Sequence, residues 1–233
     1  MGSRLLSVAF GAHDPERLGV FWAYLLGRRS VADDRGVLLP GAVGQVGLRF
    51  PHVLGDRPTE ARMHLHVTSD GDLTQEETVQ RALALGARRE DVGQKAGEGH
   101  VVLADVEGNA FCVIERGNSY LAECGLLGEV TCDGTRDVGL FWSAALGWPL
   151  VWDERGETAV QSPVGGTKVA WGGAPVARVP LQPWSWFELK ADRMPWAEAD
   201  RLVSFGAATH APEGDLLWLV DPDGNPFCLH PQG

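Results

Sequence analysis

Three short segments of this chain occur twice, in the same order and at nearly the same spacing. "GVFWAYLLGR" from Gly19 returns as "GLFWSAALGW" from Gly139. "RALALGA" ending at Ala87 returns as "RLVSFGA" ending at Ala207. "DVEGNAFCVIE" from Asp105 returns as "DPDGNPFCLH" from Asp221. Such self-similarity marks an internal duplication, so any fold proposed for one copy must also suit the other. It divides the chain into a first domain over 1–116, a linker over 117–123 and a second domain over 124–233. With 233 residues in all, each copy is long enough to bury a core of its own.

Each copy divides again. Residues 5–10 read as a strand and 15–26 as a helix. Asp14-Pro15 supplies an N-cap with proline at the first helical position. Leu18, Phe21, Trp22, Leu25 and Leu26 recur at helical period, and Gly27 stops the run. Weaker strands follow to Phe50. A second strand opens at Arg62, and Thr74-Gln75-Glu76-Glu77 is a capping box for a helix reaching Leu85. The "DVEG" and "DPDG" turns then close each copy with a hairpin, since glycine accepts the turn's backbone angles. Pro226 can only open its strand. The pattern predicts four βαβββ units, two per copy.

Composition excludes several classes of function. The formal net charge is −11, with Lys and Arg scattered. That is unsuited to nucleic acid or to anionic lipid. No apolar run reaches the length of a membrane span. "MGSRLLSVAF" lacks the apolar core of a secretory leader. Four cysteines without C-x-x-C spacing point to a reduced, cytoplasmic protein. Of nine tryptophans only Trp22 lies in the first copy, so the copies are expected to do different work.

The order of units and the recurring "GNxFC" hairpin resemble the vicinal oxygen chelate superfamily, which contains glyoxalase I, bleomycin-resistance proteins and extradiol dioxygenases. The resemblance covers essentially the whole chain and is closest to the tandem glyoxalase-like domains common in actinobacteria. It implies an α+β fold in which two βαβββ units pair into a curved mixed sheet, a cup with helices outside. The repeats lead us to expect that each half closes its own pair. Metal-dependent relatives place one ligand on each of four strands, His or Gln on the first and third and Glu on the second and fourth. Aligned by neighbouring motifs, those positions in the first copy fall on Ser7, near Leu48 or Arg49, on His64 and on Cys112. In the second copy they fall near Leu127 or Gly128, near Ala170, on Trp186 and on Cys228. Only His64 keeps the pattern, so neither the usual metal nor any other cofactor is expected. Should a metal bind at all, His64, His66 and Cys112 are the residues to hold it, through nitrogen and sulfur.

Strand alternation nominates the residues that line the cups. Met63, Leu65 and Val67 form the apolar face of one strand, which leaves His64 and His66 inward, about 7 Å apart along it. Phe187 and Leu189 do the same for another, leaving Trp184, Trp186 and Glu188 inward. In the closing strands Cys112, Cys228 and His230 face inward. Glu129, Glu188 and His230 meet if Glu129 also turns inward. Cys112 and Cys228 read as small apolar wall residues rather than nucleophiles. The two indoles beside Glu188 suit a flat or cationic ligand. The expectation is a protein that binds a small organic molecule, aromatic or hydrophobic, as the bleomycin-resistance branch does. A lyase, isomerase or dioxygenase with a non-standard His/Cys site is the enzymatic alternative, and an interaction module with a filled cup is the third. Catalysis and a homodimer are both left open.

Overall fold

The computed structural model describes residues 3–58, 61–69, 73–93, 99–176, 183–192, 194–210 and 214–231. It contains four βαβββ units in sequence order. The first runs β1 (Arg4–Phe10), α1 (Pro15–Leu26), β2 (Val31–Asp33), β3 (Gly36–Leu39) and β4 (Gly47–Phe50). The second runs β5 (Met63–Val67), α2 (Gln75–Ala84), β6 (Arg88–Arg89), β7 (His100–Ala104) and β8 (Ala110–Ile114). The third runs β9 (Leu127–Cys132), α3 (Arg136–Leu146), β10 (Leu150–Glu154), β11 (Glu157–Gln161) and β12 (Lys168–Trp171). The fourth runs β13 (Ser185–Lys190), α4 (Pro195–Ser204), β14 (Ala208–Thr209), β15 (Leu217–Val220) and β16 (Pro226–His230). No described helix is long and apolar enough to cross a membrane.

The helix signals in the sequence act as expected. Asp14 accepts from the Arg17 amide at the start of α1, and Thr74 and Glu77 cap α2 reciprocally. Gly27 and Gly147 end α1 and α3 with left-handed backbone, which glycine adopts without a Cβ penalty.

The units pair into two curved eight-stranded mixed sheets, but not as the repeats suggested. β1 lies antiparallel to β13, so the first sheet joins the first unit to the fourth. β5 lies antiparallel to β9, so the second sheet joins the second unit to the third. Each cup therefore takes one unit from each half, which corrects the expectation that each half closes on itself. The physical reason is that the four leading strands offer equivalent edges. Alternation decides which face a residue takes and leaves the partner strand undetermined.

What holds a half together is its repeated motifs. The Trp22 indole on α1 donates to Asp105 Oδ2 at 3.0 Å, and Trp142 on α3 donates to Asp221 Oδ2 at 3.1 Å. The other oxygen of each aspartate accepts amides of its own turn, from Glu107 and Asn109 or from Asp223 and Asn225. The "FW" and "D…GN" repeats are thus the two ends of one buried hydrogen bond. Trp22 packs edge-on to Phe111 of the second sheet, and Trp142 to Phe187 and Phe227 of the first. One continuous core consequently runs through all four units.

Candidate functional site

Alternation is obeyed along the strands that face the cups. Met63, Leu65, Val67, Phe187 and Leu189 join the common core. Phe111 and Val113 join it too, while Cys112 and Ile114 turn the other way into a separate small cluster. The candidates of the two halves fall into two different cups, and the exchange of units moves Glu129 out of the cup of Glu188 and His230 into that of His64, His66 and Cys112.

The first cup holds Trp186, Glu188, Cys228 and His230. Ser7 lies directly across from Glu188 on β1, and Cys228 lies beside it on β16. The Glu188 carboxylate is already engaged. Its Oε2 accepts from the Ser7 hydroxyl at 2.8 Å and from Arg49 Nε at 3.0 Å. Arg49 extends the pairing to Asp33, with Nη1 at 2.8 and 3.1 Å from the two carboxylate oxygens. Arg35 donates to His230 Nδ1 at 2.6 Å and to Asp215 at 2.7 Å. A guanidinium can only donate, so His230 Nδ1 is an acceptor and its ring proton sits on Nε2. Nε2 lies 3.4 Å from Glu188 Oε2, a long contact that directs the ring proton at the carboxylate without the alignment of a full hydrogen bond. Burial alone would raise Glu188, but His230, the Arg49 charge and the Ser7 hydroxyl outweigh it and hold the acid below its ordinary range. Burial and the Glu188 charge push the Cys228 thiol up, which makes it a wall residue rather than a thiolate.

Above this polar floor opens a cleft of about 530 Å³. Leu5, Leu38, Trp148 and the loop from Pro40 to Val46 form its sides, and Ser7, Arg49, Glu188 and His230 form its base. Trp186 stands behind, edge-on to Trp218 at 5.5 Å and packed with Ala9 and Cys228. Trp184 does not join it. Trp184 lies just before β13, buried, with its indole on Asn109 Oδ1 at 3.0 Å and its ring 5.5 Å from His13. It fills the junction between the sheets. The expected pair of indoles over Glu188 is therefore one indole, and the carboxylate carries a guanidinium of its own.

The second cup holds His64, His66 and Cys112. His66 lies opposite Glu129 and beside Cys112 in the sheet register. Glu129 does face inward, but it meets His66 and not Glu188 or His230, which are in the other cup. Its place opposite His66 matches that of Ser7 opposite Glu188, so the leading position of the second copy is Glu129 rather than Leu127 or Gly128. His66 Nδ1 lies 2.9 Å from Glu129 Oε2. Tyr120 and Thr131 donate to the same carboxylate at 2.7 and 3.0 Å. The two Nε2 atoms of His64 and His66 face each other at 3.1 Å. Burial and the neighbouring His66 charge press His64 down to about 4. Burial would also lower His66, but hydrogen bonds to Cys112 and Glu129 and the carboxylate's charge hold it up at about 9.

Part of this second cup is filled from within. Leu121 and Cys124, in and just after the segment joining the repeats, are buried against Val102, Cys112 and Ile114. Tyr120 sits at the edge, its ring beneath Lys168 Nζ at 3.9 Å and edge-on to Trp152 at 5.9 Å. An aromatic cleft of about 350 Å³ remains beside Glu129 and Thr131.

The strand residues are legible in the sequence and most of their partners are not. Motif alignment places the second position of the first copy near Leu48 or Arg49, and the structure puts Arg49 there, paired with Glu188. Arg35 and Asp33 come from a turn and its short strand, which carry no signal of their role.

Comparison with known proteins gives a consistent picture. A glyoxalase-like domain family matches residues 7–114 and 129–230. No curated protein matches the chain. Among solved structures, glyoxalase I from Zea mays aligns at 14% identity over 97% of this chain and 92% of that one, with a TM-score of 0.64. A putative dioxygenase from Bacillus subtilis aligns at 14% identity over 98% and 84%, also with a TM-score of 0.64. At such identity the likeness is one of fold.

Proposed function

The chain belongs to the glyoxalase-like domain family, and from that premise we propose that it is a small-molecule-binding protein whose ligand enters the first cup without the family's usual metal. One observation carries this reading: Arg49 hydrogen-bonds Glu188 at the cup floor, where metal-dependent relatives supply an anionic ligand from the same strand. A divalent ion at that place would meet a fixed guanidinium cation. Among the described residues lining the cleft Glu188 is the one carboxylate, and it is paired with Arg49, which also holds Asp33, and bonded by Ser7. Hard ions need several oxygen donors free to turn toward them. Glu188, Cys228 and His230 do carry donor atoms within 4.8 Å of one another. Arg35, however, occupies His230 Nδ1, Arg49 and Ser7 occupy the Glu188 carboxylate, and burial keeps the Cys228 sulfur a thiol. This donor set therefore does not suit a hard ion.

What the floor offers instead is the buried Arg49–Glu188 pair under apolar walls, with Asp33 on the far side of Arg49 and Arg35 bridging His230 and Asp215. A net ionic ligand would leave one member of the pair uncompensated in a poorly solvated place. A neutral molecule with a flat or hydrophobic body and a polar end that both donates and accepts suits it better. Leu5, Leu38 and Trp148 would cover the body, and Arg49, Ser7 and Glu188 would fix the polar end. This revises the cationic preference expected from Glu188 alone. Retention of a bound organic compound in chelator-treated protein, read by native mass spectrometry and by ligand-observed NMR with a panel of neutral aromatic amides and phenols, tests the reading. Binding that appears only when a divalent metal is added would overturn it.

A further inference from the structure

The second cup carries a different chemistry. We propose that His64 Nε2, His66 Nε2 and Cys112 Sγ form a binding site for a borderline-soft divalent ion of the zinc class, with Glu129 as the outer carboxylate that orients His66.

The donor atoms of the three residues lie within 4.8 Å of one another. The two Nε2 atoms are 3.1 Å apart, close to the spacing of two nitrogens around one tetrahedral zinc with bonds of about 2.0–2.1 Å. A side-chain adjustment of about 1 Å brings the sulfur to its bonding distance of about 2.3 Å. Strand geometry alone keeps alternate residues far apart at the backbone, so the convergence of the rings is a side-chain arrangement. Glu129 maintains half of it. Its Oε2 lies on His66 Nδ1 at 2.9 Å and so turns the opposite ring nitrogen toward His64. A carboxylate on the distal nitrogen is the usual way a ligating imidazole is oriented. Glu129 is itself held by Tyr120 and Thr131, so it is committed to this outer role.

The set differs from the four-strand pattern of metal-dependent relatives. Two ligands come from one strand, a thiolate replaces a carboxylate, and the glutamate stands one step back. Nitrogen and sulfur donors select zinc or cobalt over magnesium, calcium or manganese. Access exists, because the His66 side chain is 20% exposed and the aromatic cleft reaches Glu129 and Thr131.

The full-length chain, stripped with chelator, is titrated with zinc against a chromophoric competitor and separately with cobalt(II). The expected result is one zinc per chain and a sulfur-to-cobalt charge-transfer band. Cys112→Ser should abolish the band while Cys228→Ser keeps it. His64→Ala should abolish tight binding, and Glu129→Gln should weaken it about 10- to 100-fold. Circular dichroism and thermal unfolding of each variant establish that it is folded, and a folded Cys112→Ser protein is the decisive sample. No stoichiometric zinc, a band that survives Cys112→Ser, or one that vanishes in Cys228→Ser would each overturn the site. Ligand binding in the first cup is unaffected by any of these outcomes, so the two readings fail separately.

Discussion

Arg49 and Glu188 meet at 3.0 Å although they lie in different halves of the chain, and both side chains are almost wholly buried. Their pairing exists only because β1 bridges β4 and β13 in one sheet. It ties the exchange of units between halves to the chemistry of the first cup.

Removing one partner of that pair should be costly. Arg49→Leu leaves Glu188 buried with Ser7 and His230 alone, and the expected loss is about 3 kcal/mol. The double variant Arg49→Leu/Glu188→Leu should recover most of it, because no buried charge is then left alone. Urea unfolding of the two single variants and the double measures this. A double variant as unstable as the sum of the singles would show that the two side chains do not act as a pair.

The same site sets an acid limit. Glu188 has its folded pKa lowered below the ordinary 4.5, with burial opposing and His230, Arg49 and Ser7 prevailing. A lowered carboxylate contributes stability in full above 4.5 and loses it as pH falls through the folded value. Wild-type protein should therefore lose more stability than Glu188→Gln between about pH 6 and about pH 3. Parallel pH profiles for the two proteins would refute the assignment.

The repeated motifs predict matched effects in the two halves. Trp22→Phe and Trp142→Phe each remove one indole donor from a buried aspartate that keeps its turn amides. Each should cost about 1–2 kcal/mol, and the two losses should be nearly equal. Chemical denaturation compares them directly. A large loss in only one half would mean that the shared sequence does not mark a shared bond.

These contrasts also mark how far the sequence could be read. The FW stripe, the capping box and the GN turns dictated local structure, and all were legible because their causes lie within a few residues. The inward faces of His64, His66, Glu188 and Cys228 followed from alternation against Leu65, Phe187 and Phe227. The partner of each strand was not legible. β1, β5, β9 and β13 present similar edges, and selecting β13 for β1 depends on the whole shared core. Trp184 escaped for a related reason: it precedes its strand, so alternation did not govern it and Asn109 captured its indole. Glu129 escaped because the second copy is two residues shorter between this position and the helix motif, with Phe141 following Glu129 by 12 residues where Phe21 follows Ser7 by 14, which offsets alignments anchored on the helix.

Trp184 and the cleft residues should separate in their effects. Trp184→Ala removes a buried ring at the junction of the sheets and should destabilise the protein by about 3–5 kcal/mol. It should leave the affinity of the surviving folded protein for a first-cup ligand unchanged. Thermal unfolding with a parallel binding isotherm tests both parts, and a stable variant with lost binding would move the ligand to the junction.

The most direct measurement is binding of a neutral aromatic amide to chelator-treated protein, followed by NMR and repeated with Ala42→Trp. Ala42 is exposed at the mouth of the first cleft, so an indole there blocks entry without disturbing the core. The account predicts saturable binding in chelator, lost in Ala42→Trp and kept in Cys112→Ser. Binding that requires added metal, or that persists unchanged in Ala42→Trp, would contradict it.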